Sequence, residues 1–223
     1  RITIEGGTAT PGGVKTANDY INLAGSGSEQ TLKISSGSNI TGDVLSGTPG
    51  TNTGGTRGTL EFKGSATVTG NIGEGGTESF KLITAGNGSV TMNGDIRATT
   101  INFSGDNDLH IGDDHTLTTG AVSGVTATTG GQGTLIFDGS ATVNSNIGAG
   151  VWGTRIKEVK VTTPGSTVTF NGTLYSDTIT VNNTTASAVI GSSGTSAATN
   201  FNLTAGTLDL GANTLTLGAG GAG

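Results

Sequence analysis

A long internal repeat constrains the fold of this chain more than any other feature. The segment from Gly58 to Gly73 recurs further along the chain, from Gly133 to Gly148, with 12 of 16 positions identical. A fainter copy starts earlier, at Thr31, and Val90 to Ile96 matches Val168 to Leu174. Self-similarity of this kind predicts stacked structural units, each in contact with its neighbours, rather than one globular core.

A shorter period lies inside this long repeat. The copies share a central apolar residue, which recurs at a spacing of roughly 25 residues and finally at about twice that spacing. The seven centres are Ile40, Val68, Met92, Leu117, Val143, Phe170 and Leu215. We therefore read the long repeat as three steps of about 25 residues, with one unrecognised step near Ala188-Val189-Ile190.

Each centre is flanked by polar residues on both sides. All fourteen flanking residues are Thr or Asn. Alternation of apolar and polar side chains is the pattern of a β-strand, whose successive Cβ atoms point to opposite faces. We expect the centres to face a core and the Thr and Asn side chains to face solvent.

The composition agrees with strands and turns. The chain of 223 residues contains 42 Gly and 42 Thr, both of which are poor helix formers. Short strands in repeating multi-strand units fit a parallel solenoid better than a sandwich. We therefore predict an all-β, right-handed parallel β-helix (β-solenoid) of about nine coils, each of roughly 25 residues. Residues 1–217 would form one β-helical segment, residues 218–223 a flexible end, and Gly47 to Gly58 a loop leaving one coil.

Charge and cysteine content exclude several classes of protein. The net charge is −6 and the ten basic residues are scattered, so nucleic acid is not an expected partner. Without cysteine the chain has neither disulfides nor a thiolate metal site, and we expect no cofactor. No run of about 18 apolar residues is present, which excludes a transmembrane helix within this chain. Any targeting segment should lie outside the sequence.

The repeated segment resembles part of a known family. The two copies, Gly58 to Gly73 and Gly133 to Gly148, are similar to stretches in the passenger regions of rickettsial surface cell antigens, the autotransporters of outer membrane protein A and B type. The ending from Leu208 to Leu217 looks like strings common in autotransporter passengers. The resemblance implies an exported cell-surface adhesin and antigen, anchored through a β-barrel outside this chain. It implies no catalytic residue.

One acidic segment is a candidate cation site. Asp106 to His115 holds four of the sixteen acids and both histidines, and carboxylate oxygens suit Ca²⁺ while imidazoles admit a transition metal. Strand alternation would place Asp108 and His110 on one face. The segment lacks the spacing of known calcium loops, so the sequence favours a solvated acidic turn over a metal site. The candidate ligands are Asp106, Asp108, His110, Asp113 and Asp114.

The single tryptophan is a candidate contact for a partner. Trp152 lies between strands beside Arg155 and Lys157, and an exposed aromatic beside cations is typical of a binding hot spot. The earlier copy has no aromatic at this place. The sequence favours the alternative, in which Trp152 fills a gap beneath a loop.

The remaining hypotheses concern the role of the whole chain. We predict a surface adhesin and stalk whose partner is a host-cell surface protein or glycan. The first alternative is a surface-layer or filament protein that binds neighbouring copies of itself. The second is a polysaccharide-active enzyme, disfavoured because the other acids are spread singly and both histidines lie in one short segment. Ice binding is disfavoured too, because Asn interrupts the Thr pairs.

Overall fold

The strands form one parallel stack along the chain. The computed structural model describes residues 2–4, 8–9, 20–22, 30–46, 57–73, 79–148, 152–191 and 195–218. Every strand pairing among these residues is parallel, and the one helical element is a single 3₁₀ turn, Trp152–Thr154. The predicted all-β parallel solenoid is confirmed. The strands are β1 (Ile2–Ile4), β2 (Thr8–Ala9), β3 (Tyr20–Asn22), β4 (Thr31–Ile34), β5 (Ser38–Thr41), β6 (Asp43–Leu45), β7 (Arg57–Phe62), β8 (Ala66–Thr69), β9 (Phe80–Ala85), β10 (Ser89–Asn93), β11 (Ile96–Phe103), β12 (Asp108–Ile111), β13 (His115–Ala127), β14 (Gln132–Phe137), β15 (Ala141–Asn144), β16 (Ile156–Val161), β17 (Thr167–Phe170), β18 (Tyr175–Ile190), β19 (Thr195–Asp209) and β20 (Thr214–Leu217).

The solenoid has three faces, which the chain visits in a fixed order. The coil of β4, β5 and β6 places one strand on each, and we call these the first, second and third face. The next coil repeats the order, because β7 pairs with β4, β8 pairs with β5, and Ile72 bridges to Val44 of β6. The longer strands β11, β13, β18 and β19 bend at a corner and contribute to more than one face.

Inward side chains form at least one continuous apolar column on each face. On the first face the column contains Leu32, Leu60, Ile83, Ile101, Val125, Ile147 and Leu174. On the second it contains Ile40, Val68, Met92, Ile111, Phe137, Val161 and Val181. On the third it contains Val44, Ile72, Ile96, Leu117, Val143, Phe170 and Ile190. All of these side chains are at most 2% exposed, so the three columns are part of the hydrophobic core. The core also contains other stacked side chains, such as Leu109, Leu135 and Val159.

The predicted alternation of strand faces is confirmed. Six of the seven predicted centres are buried and the seventh, Leu215, packs partly buried against the core. None of the fourteen flanking Thr and Asn side chains is buried. Local polarity therefore identified correctly which side chains face inward.

If each step of the sequence period were one coil, the centres would form one stack, but they lie on different faces. Ile40, Val68 and Met92 lie in the second-face column, whereas Leu117, Val143 and Phe170 lie in the third-face column. The in-register neighbour of Met92 is Ile111 and not Leu117, which lies further along the chain. The coil from Met92 to Ile111 is shorter than its neighbours, so a constant sequence period does not follow the register at this point.

The two copies of the long repeat consequently lie on different faces. The strands of Gly58 to Gly73 lie on the first and second faces, whereas those of Gly133 to Gly148 lie on the second and third. The long repeat is therefore not three whole coils, as the sequence suggested, because the second copy is turned by one face. The repeat encodes a strand, a corner and a strand, and the three corners accept the same local unit.

Side chains at the corners bind the backbone of the following coil. Asp43 Oδ1 accepts the N–H of Asn71 at 2.7 Å, and Asn71 Oδ1 accepts that of Asp95 at 2.9 Å. Asp95 Oδ1 in turn accepts the N–H of Thr116 at 2.8 Å. These bonds satisfy backbone donors where the strand ladder is interrupted. Of the predicted loop from Gly47 to Gly58, residues 57–58 instead open β7, and the rest lies outside the described residues, as do residues 219–223 of the predicted flexible end.

Candidate functional site

The acidic segment crosses the corner between the second and third faces. It contains β12, in which Leu109 and Ile111 are buried while Asp108 and His110 are directed outward. This is the alternation that the sequence predicted. After β12 the chain turns at Asp113 and Asp114, and Asp114 has a φ of 60°, the one positive value at a non-glycine residue in the described part of the chain.

The candidate ligands pair with other coils rather than with one another. His110 Nδ1 lies 3.0 Å from both carboxylate oxygens of Asp138, and Asp113 Oδ1 accepts the backbone N–H of Ser140 at 2.7 Å. Asp106 binds Lys157 at 2.8 Å. Within the described ranges no three His, Cys, Asp or Glu side chains are grouped as a metal site would require. The segment thus acts as a set of links between coils.

The link between Asp106 and Lys157 shows in the pKa of the lysine. The hydrogen bond that Lys157 donates to Asp106 raises the pKa of Lys157 above its ordinary value, against an opposing effect of desolvation. The negative charges of Asp106, Asp108 and Glu158 add to this rise. The outward carboxylates here form a mixed-charge surface rather than an isolated acidic patch.

Two small polar depressions border this corner on either side of Ser140. Their volumes are about 160 Å³ and about 140 Å³. The first is lined by Asp114, His115, Thr116, Ser140, Ala141, Thr142, Thr167 and Thr169. The second is lined by Asp113, Asp138, Gly139, Ser140, Thr163, Pro164, Gly165 and Ser166. Both are too small and too polar to resemble an enclosed small-molecule site.

Trp152 lies in the 3₁₀ turn that precedes β16. Its side chain lies outside the described residues. The turn is held by a 2.9 Å hydrogen bond from Thr154 Oγ1 to the carbonyl of Gly148, and the adjacent Arg155 forms an ion pair with Asp177.

The outward Thr and Asn residues form two separate ladders. The second-face ladder consists of Asn39, Thr41, Thr67, Thr69, Thr91 and Asn93. The third-face ladder consists of Thr116, Thr118, Thr142, Asn144, Thr169 and Asn171. Each is three rungs long and uncharged. The rotation of the repeat explains why one sequence pattern produces two surfaces.

A third depression, larger than the two beside Ser140, lies at the edge of the third-face ladder. Its volume is about 300 Å³, and it is lined by Thr119, Asn144, Ser145, Asn146, Asn171 and Gly172. We call it the edge groove. Sequence reasoning missed it because Asn was read as an interruption of a Thr array. Asn144 follows Val143 just as Asn171 follows Phe170. This shared position was the signal that could have placed the two amides on adjacent rungs.

The pKa of Glu61 is displaced from its ordinary value. Burial raises the pKa of Glu61, but hydrogen bonds from Lys63 and Lys33 outweigh that effect and hold it below its ordinary value. Lys33 Nζ lies 3.2 Å from Glu61 Oε2 on the adjacent coil. A carboxylate held ionised by two lysines is an ion pair, whereas a general acid requires a raised pKa.

Comparison with known protein families, with curated proteins and with solved structures finds no match to this chain. The resemblance to rickettsial passengers therefore stays a prediction. None of the described helical residues forms a segment long and apolar enough to cross a membrane.

Proposed function

We propose that this chain is part of a bacterial cell-surface passenger of the autotransporter type, which serves as an adhesin, surface antigen and structural stalk. Its partner would be a host-cell surface protein or glycan. The chain would be exported and anchored at the outer membrane by a part of the protein outside this sequence. The observation that carries the proposal is the parallel strand pairing that joins successive coils from β1 to β20.

The core and the surface of the solenoid both suit this role. Each coil covers the apolar side chains of the preceding one, so length is added without a larger core and without disulfides. The outward rungs carry two ladders of uncharged polar side chains, which suits display to an external partner. In its finer form, the proposal is a right-handed solenoid of about nine coils. The right hand is supported by the strong preference of parallel crossovers for that hand.

Adhesion of coated particles to cells tests this function. Beads carrying the chain should bind cultured host cells more than beads carrying albumin. The double variant Thr142→Arg/Thr169→Arg places two cations on the third-face ladder and should reduce binding. The matched control, Thr67→Arg/Thr91→Arg, makes the same change on the second-face ladder. Equal binding by wild-type and albumin beads would overturn the proposal.

A second candidate function, self-assembly into a layer or filament, is favoured by one observation. Leu203 and Leu217 are 47% and 54% exposed, whereas side chains earlier in the columns are buried. Exposed apolar side chains are favourable contacts for another chain. Electron microscopy separates the two candidates: filaments that disappear in Leu203→Lys/Leu217→Lys would establish assembly, and wild-type monomeric rods would exclude it.

A further inference from the structure

The edge groove differs from the other depressions in the absence of charge. None of its six lining residues is ionisable, and none has a side chain larger than Asn. Such a lining offers no cation for phosphate or sulfate and no carboxylate for an amine. It also offers no aromatic or aliphatic anchor for a protein hot spot.

Two amides lie on adjacent rungs at this edge. Asn171 Nδ2 donates a 2.8 Å hydrogen bond to Asn144 Oδ1, which fixes both side chains. Asn144 Nδ2 and Asn171 Oδ1 have no other partner in the part of the chain that the structure describes. Both residues are exposed, and the bonded pair leaves an amide donor on Asn144 and an amide acceptor on Asn171, the acceptor beside Gly191 of the following coil. A sugar hydroxyl both donates and accepts, so the hydroxyls of a saccharide can bind either group.

The floor of the groove is rigid. Gly172 lies directly on the preceding coil, where a Cβ atom would be 2.1 Å from the carbonyl oxygen of Ser145. Ser145 is 4% exposed, and its Oγ lies 2.5 Å from Thr119 Oγ1. Asn146 Oδ1 accepts the N–H of Thr173 at 3.0 Å. Fixed polar groups cost a ligand less in ordering than mobile ones.

The second-face ladder lacks this pair although its local sequence is similar. Asn93 corresponds to Asn171 in the matching segments, but its neighbours on adjacent rungs are Thr69 and Gly112. Only one amide is therefore present there. This difference makes Asn93 a matched control for the two groove amides.

We propose that the edge groove binds an uncharged saccharide through the paired amides of Asn144 and Asn171. The proposal rests on the proposed function in taking a glycan as the surface partner, and it names that glycan's class. The volume of about 300 Å³ is at the small end of ligand sites and suits one or two sugar rings rather than a long chain.

Saturation-transfer NMR on the purified chain tests the proposal. The probes are methyl α-mannoside, methyl β-galactoside and N-acetylglucosamine, with N-acetylneuraminic acid as the anionic comparison. We expect transfer to at least one neutral sugar and weaker transfer to the anionic one. In Asn144→Leu/Asn171→Leu the affinity should fall about tenfold or more, the effect of losing one or two hydrogen bonds. Asn93→Leu should bind like the wild type.

Two further measurements keep the result interpretable. Circular dichroism establishes that each variant is folded, and Asn171→Asp keeps the shape of the side chain while adding charge, so it should weaken neutral-sugar binding without loss of fold.

No transfer to any neutral sugar, or equal transfer in the wild type and the double variant, would overturn the proposal. Sugar binding without cell adhesion would contradict the adhesin only. Cell adhesion undiminished in the double variant, without sugar transfer, would contradict the groove only.

Discussion

Val68 and Phe137 lie in the same inward column of the solenoid, joined through Met92 and Ile111 by parallel pairing in register. The sequence repeat aligns Val68 with Val143 instead, and Val143 lies on the next face. The fold therefore reuses one local unit at different corners. Like side chains stack because each face has its own inward column, and not because the copies of the long repeat lie over one another.

Replacement of Gly94 by Ala should destabilise the fold. A Cβ atom at Gly94 would lie 2.0 Å from the carbonyl oxygen of Gly70 on the preceding coil, so the backbones must separate. Overpacking of this kind costs about 1–3 kcal/mol, which urea unfolding would detect. Gly153, where no atom lies within 4 Å of the added Cβ, is the control, and Gly153→Ala should change stability by less than about 0.5 kcal/mol. Equal effects at both sites would contradict the close stacking of the corners.

Phe137 and Phe170 should be energetically coupled across the core. Their ring centroids are 5.6 Å apart and the ring planes meet at 85°, an edge-to-face contact. Each Phe→Leu substitution should cost about 1–2 kcal/mol. A double-mutant cycle should show a coupling of about 0.5–1.5 kcal/mol. The cycle of Phe62 with Phe170, which lie several coils apart, should be additive, and coupling there as large as in the first pair would refute the assignment.

Asp43 should stabilise the corner through its acceptor oxygen and not through its charge. Its Oδ1 accepts the N–H of Asn71 at 2.7 Å. Asp43→Asn keeps an acceptor and should change the free energy of unfolding by less than about 0.5 kcal/mol. Asp43→Ala leaves the donor without its partner and should cost about 1 kcal/mol. A loss in the Asn variant as large as that in the Ala variant, measured by urea unfolding, would show that charge is the important property.

Glu61 should make stability depend on pH on the acidic side. Its pKa in the folded chain is lowered by Lys63 and Lys33 from an ordinary value of 4.5. The stabilisation is therefore complete above 4.5 and is lost as pH falls through the lower folded-state pKa. Because Glu61 is partly exposed, solvent screens the effect and it should be small. The difference in Tm between the wild type and Glu61→Gln should shrink from neutral to acidic pH, and a difference that grows on acidification would contradict the ion pair.

The sequence was enough to predict which side chains of a strand point inward. It was not enough to predict the face of the solenoid on which each strand lies. Thr67 and Thr69 flanking Val68 were enough to predict an inward centre and an outward pair, because alternation is a property of a single strand. The face on which a strand lies depends on the length of every preceding coil. The short step from Met92 to Ile111 moved all later centres to another face, and no local pattern marked it.

The candidate site shows the same division. The outward positions of Asp108 and His110 followed from alternation. The partners in this segment come from other coils: Asp138 pairs with His110, and Lys157 pairs with Asp106. Asn144 and Asn171 were recognised as equivalent flanking residues, since Val143 and Phe170 are true neighbours. The groove beside them depends on how two corners stack, which requires the register.

Introduced cysteine pairs test the register on which the whole account depends. The chain has no cysteine of its own, so each pair is unambiguous. Thr91 and His110 are in register on adjacent strands, and neighbouring strands lie about 4.8 Å apart, within the range that a disulfide can span. Thr91→Cys/His110→Cys should therefore form a disulfide on mild oxidation, whereas Thr91→Cys/Thr116→Cys should not. The opposite result, a disulfide between positions 91 and 116 and none between 91 and 110, would contradict the arrangement of the faces.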